Sequence, residues 1–287
     1  MESLRNLRDK CNRPMSTQAD KGRVFRALHE RDRAFIIPTP WDAGSARLLA
    51  HAGFEALATT SAGYAFSRGR QDNMIERDDM IAHAAAIVAA TELSVSADLE
   101  NGFGDAPEEV AETIRLAAAA GLAGCSIEDA SQNPDNPIYE HEHAVERIRA
   151  AVQVARGLPF AFTLTARAEN YLHGRQDVRD TIRRLQAFQE AGANVLYAPG
   201  LPSKEDITAV VNSVDRPVNV LAGQEGLELD LEGLSAIGVK RISVGSLLSR
   251  VAYGALHRAA KEMKERGTFT FADEAVSFSD ISTIFKM

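Results

Sequence analysis

Short apolar runs rich in β-branched and small residues alternate along the chain with longer runs rich in Ala, Leu and Arg. The short runs fit buried strands and the longer runs fit helices that cover them. Eight segments are predicted to be strands: 34–38, 54–60, 94–100, 124–129, 160–167, 194–199, 217–222 and 240–244. This alternation is typical of a parallel sheet wrapped by helices, and eight strands predict a (β/α)₈ TIM-type barrel.

Several of the predicted helices have recognisable ends. Residues 105–109 combine a polar capping residue, a proline suited to the first helical turn, and two acids that favour the positive end of a helix. They predict a helix that begins there and runs to Ala120. Gly53, Gly192 and Gly238 each follow an apolar helical stretch and precede a predicted strand, so we expect them to end helices in the left-handed conformation.

The length of the chain predicts one domain. Its 287 residues slightly exceed the roughly 250 of a typical TIM barrel, which leaves no room for a second full domain. We expect a barrel core at about 26–257, an N-terminal extension and a C-terminal helical tail at 266–287. Four phenylalanines in the tail present more aromatic surface than a free tail should expose, so we expect it to dock, on another subunit: Phe269, Phe271, Phe278 and Phe285.

Composition and charge exclude several classes of function. A net charge of −8 disfavours nucleic acid or an anionic membrane as the main partner, because both require a basic face. The chain has no uncharged apolar run near the roughly 18 residues of a membrane helix. Residues 1–22 are highly charged, unlike a secretory signal, so we expect a cytoplasmic protein. Two cysteines, Cys11 and Cys125, are too few for a disulfide framework or a zinc site.

Acidic residues collect where predicted strands end, which is where barrel enzymes keep their active sites. Strand alternation places Asp98 and Glu100 on one face of the third strand and Glu128 on the equivalent face of the fourth. Three neighbouring carboxylates repel one another unless a cation neutralises them, and oxygen ligands suit magnesium better than zinc. The alternative is that these acids cap helices or pair with arginine.

Arg167 brings a cation to the same mouth. It ends the fifth predicted strand, on the inner face with Thr163 and Thr165. A guanidinium in this position can hold a substrate carboxylate through two parallel hydrogen bonds. The alternative is a structural salt bridge to Glu128 or Glu169.

The motifs resemble those of the isocitrate lyase/phosphoenolpyruvate mutase superfamily. The resemblance rests on Asp-x-Glu-x-Gly-x-Gly at 98–104, Ile-Glu-Asp at 127–129 and Thr-Ser-Ala-Gly at 60–63, with further matches at 40–47, 192–194 and 197–200. It covers roughly 26–257. It implies a homo-oligomer, a dimer or tetramer, that binds a small α-keto or α-hydroxy carboxylate.

The resemblance also implies roles for individual residues. Asp98 would bind Mg²⁺ directly, with Mn²⁺ as an alternative ion, while Glu100 and Glu128 would hold its waters. Asp72 would support the metal shell, and Arg167 would stabilise the carboxylate and enolate oxygen of a pyruvate-like unit. Substrate contacts are implied for four residues: Ser61, Ala62, Gly63 and Asn219. Without the resemblance, Asp72 reads as an ordinary loop acid and Asn219 as a satisfied barrel amide.

The loop after the fourth strand bears on the subclass. Isocitrate and methylisocitrate lyases of the superfamily carry Lys-Lys-Cys-Gly-His there, and residues 130–139 lack it. Cys125 is predicted to face the helices as a core residue. The loop also lacks the lysine of the mutase and phosphonopyruvate hydrolase branches, although Asn133 and Asn136 could contribute. The prediction is a magnesium-dependent lyase that cleaves a C–C bond through a pyruvate enolate, like oxaloacetate decarboxylase or substituted malate lyases.

Other activities stay open as alternatives. One is P–C bond chemistry of the phosphoenolpyruvate mutase or phosphonopyruvate hydrolase type. A second is metal-dependent binding of a carboxylate without turnover, for which the turn at 244–246 offers amide donors. A Schiff-base aldolase is disfavoured because Lys204 and Lys240 are both misplaced for the mouth, and His173 is the one histidine placed to act as an acid or base.

Overall fold

A computed structural model describes residues 16–224, 227 and 229–286 of the chain. It contains eight strands, each inside a predicted segment: β1 (Phe35–Ile37), β2 (Ala56–Ala58), β3 (Ser94–Asp98), β4 (Gly124–Glu128), β5 (Thr163–Arg167), β6 (Val195–Tyr197), β7 (Val218–Leu221) and β8 (Arg241–Ser243). Cys11, and most of the N-terminal extension that the sequence predicts, lie outside the described residues.

All neighbouring strands are parallel and follow the order β1-β8-β7-β6-β5-β4-β3-β2. The open seam between β2 and β1 is narrowed by the amide of Ala58, which donates to the carbonyl of Pro38 at 3.0 Å. The sheet is thus a nearly closed barrel, which confirms the predicted (β/α)₈ fold. The strands are shorter than predicted because their ends enter turns and caps; Thr60, for example, caps the next helix.

Helices follow the strands around the barrel. Their bounds are α1 (Gln18–Leu28), α2 (Ala43–His51), α3 (Ser61–Ser67), α4 (Arg77–Ala89), α5 (Pro107–Ala119), α6 (His141–Gly157), α7 (Val178–Ala191), α8 (Lys204–Asn212), α9 (Leu231–Ala236), α10 (Leu247–Arg266) and α11 (Phe278–Ile284), with a short 3₁₀ helix at Thr270–Glu274. No helix in the described part of the chain is both long and apolar enough to cross a bilayer.

The predicted glycine ends are confirmed, whereas one predicted start is wrong in detail. Gly192 ends α7 at φ 108°, and Gly238 has φ 90°, both in the left-handed region where a side chain is strained. The cap of α5 is Ala106 rather than Asp105, and Glu109 reaches back to accept from the Ala106 amide at 2.9 Å. Asp105 instead accepts a hydrogen bond from the hydroxyl of Tyr139, which ties the loop before α5 to the loop before α6.

Two apolar clusters support the barrel. The larger one fills the space between sheet and helices and includes Cys125, which is fully buried as predicted. The smaller one closes the amino end of the barrel, where Phe25 and Leu28 of α1 pack onto Phe35 and Ile37 of β1. This plug is tight: a side-chain carbon at Gly22 would lie 2.1 Å from the carbonyl oxygen of Ala161. The cavity that the predicted site residues line opens at the opposite end of the barrel.

The C-terminal tail is helical, as predicted. Glu262 of α10 accepts hydrogen bonds from Thr268 and Thr270, which turns the chain after α10. The carbonyl of Phe285 accepts from the side chain of Arg47 on α2 at 3.4 Å. Phe278 nevertheless remains 86% exposed, so docking of the tail on another subunit stays a prediction.

Candidate active site

A cavity of about 220 Å³ opens at the carboxyl ends of the strands. It is small beside the roughly 300–1,000 Å³ pockets of drug-sized ligands, so it suits a small molecule. Six residues predicted from the sequence line it: Ser61, Ala62, Asp72, Asp98, Arg167 and Asn219. The structure therefore brings together, around one small cavity, residues that are far apart along the chain.

Asp98 is the hub of the acidic side of the cavity. It is the last residue of β3, and its backbone amide donates to the hydroxyl of Thr59 at 2.9 Å. Its Oδ2 accepts from the hydroxyl of Ser61 at 3.0 Å, and its Oδ1 accepts from Arg167 Nη1 at 2.9 Å. Both carboxylate oxygens are thus oriented by neighbours, which holds the group at a fixed angle to the cavity.

Glu100 does not line the cavity but lies close to Asp98 and Asp72, at a position that strand alternation does not describe. Strand β3 ends at Asp98, and Glu100 follows in a left-handed conformation with φ 49°. A left-handed backbone at a residue other than glycine costs roughly 1–3 kcal/mol, and such residues cluster at functional sites. Glu100 is 2% exposed. Its Oε2 accepts from Gln132 Nε2 at 3.1 Å, whereas its buried Oε1 has no hydrogen-bond partner among the described residues.

Arg167 lies at the centre of the acids. Its Nη1 contacts Asp98 at 2.9 Å, its Nη2 contacts Glu128 at 3.1 Å, and its Nε contacts Glu169 at 2.9 Å. The predicted salt bridges to Glu128 and Glu169 are therefore both present. A guanidinium has five N–H groups, so three of them are engaged and two are left for a ligand. The structural and the substrate-binding interpretations of Arg167 are compatible.

A second arginine fixes this arrangement from behind. Arg184 of α7 is 3% exposed and contacts Asp129 Oδ2 at 3.0 Å. Asp129 Oδ1 accepts from the backbone amide of Glu169 at 2.8 Å, and Glu169 in turn holds Arg167. A continuous chain of charged groups thus runs from a surrounding helix to the centre of the mouth.

The electrostatics of the mouth are dominated by negative charge. Burial, and then the charges of Asp98 and Asp72, raise the pKa of Glu100 to about 8. Burial also raises the pKa of Glu128 well above its usual value, although the Arg167 guanidinium opposes the shift. The mouth therefore contains more acidic groups than its positive charge can balance.

Asp72 belongs to the same group despite its accessible side chain. It lies in the loop before α4, where partial desolvation and the nearby charge of Asp98 raise its pKa. Its Oδ1 accepts from the amide of Asn73 at 3.1 Å. The loop thus delivers a fourth carboxylate to the edge of the cavity.

The donor set fits a hydrated divalent cation rather than one held by protein atoms alone. Within the described ranges, no group of three or more His, Cys, Asp or Glu side chains is spaced to hold a metal ion. However, Glu100 Oε1 is buried and unpartnered, and burial together with the charges of Asp98 and Asp72 raises the pKa of Glu100 to about 8. Hard oxygen ligands that also leave room for waters are what Mg²⁺ prefers.

The predicted substrate cradle is present in part. Ser61 and Ala62 line the cavity at the start of α3. Gly63 lies buried behind them, with its amide donated to the hydroxyl of Thr60 at 3.2 Å. A side-chain carbon at Gly63 would lie 2.6 Å from the methyl group of Thr60, so this turn requires glycine. Direct contact of Gly63 with a substrate stays a prediction.

Asn219 and its neighbour Arg241 form the opposite wall. Asn219 is 1% exposed; its Oδ1 accepts from Arg241 Nε at 2.9 Å, and its Nδ2 donates to the hydroxyl of Ser243 at 2.9 Å. The side-chain amide is thus satisfied by the barrel, as in the alternative interpretation. Arg241 lines the cavity and is not among the predicted site residues. An arginine inside a short predicted strand was the available signal.

The loop before α6 contacts Glu100. An antiparallel bridge between Ala130 and Ile138 shapes it, and Gln132 within it reaches Glu100. His173, the candidate acid or base, is exposed on a turn after β5 and does not line the cavity. His173 is therefore not placed where it could act as the acid or base of this cavity.

Three comparisons relate the chain to known proteins. A crystal structure from Burkholderia cenocepacia J2315, of a protein for which a lyase or mutase activity has been suggested, is 62% identical with a TM-score of 0.92, covering 94% of this chain and 97% of that chain. The 2-methylisocitrate lyase of Halalkalibacterium halodurans is 29% identical, covering 85% of this chain and 82% of that protein. The structure of 2,3-dimethylmalate lyase is 26% identical with a TM-score of 0.83, covering 94% and 95%.

The family model for phosphoenolpyruvate phosphomutase matches residues 25–264, which span the barrel from α1 into α10. The match includes each strand and each acid of the mouth. The chain therefore belongs to the phosphoenolpyruvate phosphomutase family, within the isocitrate lyase/phosphoenolpyruvate mutase superfamily that its motifs resemble.

Proposed function

We propose that the protein is a magnesium-dependent lyase that cleaves a C–C bond in a small α-keto or α-hydroxy carboxylic acid. The observation that carries this proposal is the cluster of buried carboxylates around Arg167, with Glu100 Oε1 buried and unpartnered. A buried acid cluster of this kind is unstable without a cation. Membership of a family of lyases and mutases supports it.

In this proposal Asp98 would hold the metal directly, and Glu100 and Glu128 would hold its waters. Asp98 is suited to direct coordination because Ser61 and Arg167 already fix its orientation. When bound, Mg²⁺, or Mn²⁺ as an alternative, would neutralise the carboxylates and supply positive charge for a substrate oxygen. Asp72 supports the cluster from the loop.

Arg167 then acts on the substrate. Its two remaining N–H groups can bind a carboxylate oxygen and the oxygen on which charge develops. In an oxaloacetate-like acid, the C3–C4 bond breaks with loss of CO₂, and its electron pair stays on the pyruvate unit as an enolate. In a 2-alkylated malate, the hydroxyl loses its proton to water and becomes the keto group of pyruvate, and the electron pair of the C2–C3 bond goes to the other acid as its enolate. In either case a fixed donor near the oxygen on which charge develops lowers the barrier. Ser61 and Ala62 line the same side of the cavity and would position the acid.

The substrate itself is open within this class. The chain lacks the Lys-Lys-Cys-Gly-His motif that the resemblance ties to methylisocitrate lyase activity, and Cys125 is buried in the core where burial raises the pKa of its thiol. We therefore place oxaloacetate-like acids and substituted malates ahead of methylisocitrate. P–C bond cleavage is less favoured because the loop at 130–139 has no lysine.

The test is a panel assay with purified protein. Oxaloacetate, alkylated malates, methylisocitrate and phosphonopyruvate are each incubated with Mg²⁺ or with a chelator, and pyruvate release is followed after subtraction of metal-only decarboxylation. We expect chelator-sensitive pyruvate release from an oxaloacetate-like acid or a malate. Release from phosphonopyruvate alone would replace the proposal with P–C chemistry, and Mg²⁺-dependent ligand binding without any product would replace it with a binding function.

A further inference from the structure

The cavity has a second arginine whose role the acid cluster does not explain. Arg241 is the first residue of β8 and pairs in register with Asn219 of β7. It is only 5% exposed, yet it lines the cavity. In an eight-stranded barrel β7 and β8 lie across from β3 and β4, so Arg241 faces the cavity from the side opposite Asp98 and Glu128.

Arg241 differs from Arg167 in having no acidic partner. Among the residues that the structure describes, its recorded hydrogen bond goes from Nε to the neutral Asn219, at 2.9 Å, and no salt bridge includes it. Its Nη1 is buried without any hydrogen-bond partner. Buried charges in proteins are normally paired, because an isolated one loses its hydration without compensation.

The other buried arginines of the described chain show how such a charge is normally satisfied. Arg184 contacts Asp129 and Asp180, whereas Arg147, whose Nε is also unpartnered, donates to three backbone carbonyls of the loop before α5. Arg241 is thus a buried guanidinium that lines the cavity and has no counterion among the described residues.

We propose that Arg241, oriented by Asn219, forms an anion subsite that binds a second anionic group of the substrate, on the side of the cavity away from Asp98. The inference rests on the proposed function, which assigns the reacting end of the substrate to the side of the cavity at Asp98. It assigns Arg241 a specificity role: it selects acids that carry a second carboxylate over acids that carry one. Asn219 is a positioning residue here, since both of its polar atoms are engaged by Arg241 and Ser243.

The chemistry of Arg241 matches this role. Its positive charge is retained in the cavity, because burial lowers the pKa only to about 10. The charge of Arg167 also lowers the pKa of Arg241, and Arg167 is itself paired with acids. A planar guanidinium with a free N–H is suited to a carboxylate.

The test compares two α-hydroxy acids that differ by one carboxylate. Binding of malate and of lactate is measured by calorimetry, with Mg²⁺, for the wild type and for Arg241→Met, Arg241→Gln and Arg241→Lys. We expect the wild type to prefer malate by at least about tenfold, as for a hydrogen bond between charged groups. Arg241→Met should lose that preference while lactate affinity changes by less than about twofold. Arg241→Lys should retain part of the preference.

Folding is checked by circular dichroism and thermal melting. If Arg241→Met does not fold, Arg241→Gln serves instead, because its amide can still donate to Asn219. Equal loss of malate and lactate binding would show that Arg241 only supports the cavity. The proposal would also be overturned if the wild type showed no preference for malate, or if the preference survived in both Arg241→Met and Arg241→Gln. The partner of Nη1 would then be an internal water.

These results are separable from the fate of the proposed function. If chelator-sensitive turnover is found but the malate preference does not depend on Arg241, the subsite fails and the lyase stands. If the preference depends on Arg241 but no acid of the panel is turned over, the subsite stands and the lyase fails.

Discussion

Arg167 is the residue on which the mouth of the barrel depends. It contacts three acids through three different nitrogen atoms, so it fixes their relative positions as well as their charge. A lysine could not replace it, because a single ammonium cannot span three carboxylates in a fixed plane. Its geometry in turn depends on Glu169, which the Asp129–Arg184 pair holds in place.

The first prediction concerns Arg184. Arg184→Met leaves Asp129 buried and unpaired, and removing one partner of a buried pair costs about 3–5 kcal/mol of the free energy of unfolding. Because Asp129, which accepts from the Glu169 amide, is then no longer held by Arg184, we also expect catalytic efficiency to fall by at least about tenfold. Urea unfolding and steady-state kinetics measure the two effects.

The neighbouring Arg183 supplies the control. It forms a similar pair with Asp180 but is 60% exposed in its side chain. Arg183→Met should change the free energy of unfolding by about 1 kcal/mol or less. Equal effects of the two substitutions would contradict the assigned role of Arg184.

At the scale of elements, strand alternation located much of the site. It placed Asp98 and Arg167 at the carboxyl ends of β3 and β5, and both line the cavity. Alternation succeeds there because a residue inside a strand has only two faces to choose from. It fails for Glu100, which lies two residues beyond β3 in a left-handed turn, so its direction is set by the turn.

Other parts of the site could not be predicted, because they depend on contacts between residues that are far apart in the sequence. The Asp129–Arg184 pair joins residues that are 55 positions apart. Asp105 resembles a helix cap locally but is bonded to Tyr139, 34 residues away. Arg241 lies inside the predicted strand 240–244, and whether its side chain has a partner depends on every element that surrounds the barrel interior.

The plug helix α1 provides a prediction about pH. His29, just after α1, is 4% exposed, and its Nδ1 lies 2.8 Å from the carbonyl of Phe25. Burial, followed by the nearby charge of Arg241, lowers the pKa of His29 to about 3. The folded pKa is thus below the unfolded value of 6.5. Stability is therefore complete above pH 6.5 and is lost as the pH falls toward 3, because the unfolded chain binds the proton first.

The expected slope from this histidine is up to about 1.4 kcal/mol per pH unit within that window. His29→Gln should flatten the dependence of the unfolding free energy on pH between 6.5 and 4, whereas the same change at the exposed His51 should leave it intact. Chemical denaturation at several pH values gives the comparison. An unchanged slope in His29→Gln would contradict the prediction.

At the scale of the whole molecule, apolar surface is concentrated at the C-terminal end. Three large apolar side chains there are strongly exposed: Phe278 at 86%, Phe269 at 66% and Val251 at 59%. So much exposed apolar surface in one part of a chain is unusual. We therefore retain the proposal that the tail docks on a second copy of the chain, as the resemblance implies.

The expected result is that Phe278→Asp shifts the protein toward smaller species, because a charge cannot be buried in an apolar contact without a partner. Size-exclusion chromatography with light scattering measures the mass directly. The exposed Val24 supplies the control, and Val24→Asp should leave the mass unchanged. A monomeric wild type would contradict the proposal.

The central claim, that the acids around Asp98 bind a metal used in C–C bond cleavage, is tested most directly by Asp98→Asn. This change keeps the shape of the side chain and removes its charge, while Asp32→Asn, in an exposed loop at the other end of the barrel, serves as control. With the best substrate of the panel, we predict that Asp98→Asn loses at least about 10³-fold in Mg²⁺-dependent pyruvate release. Circular dichroism should show that the fold of Asp98→Asn is retained. Pyruvate release that is unchanged in Asp98→Asn would contradict the account.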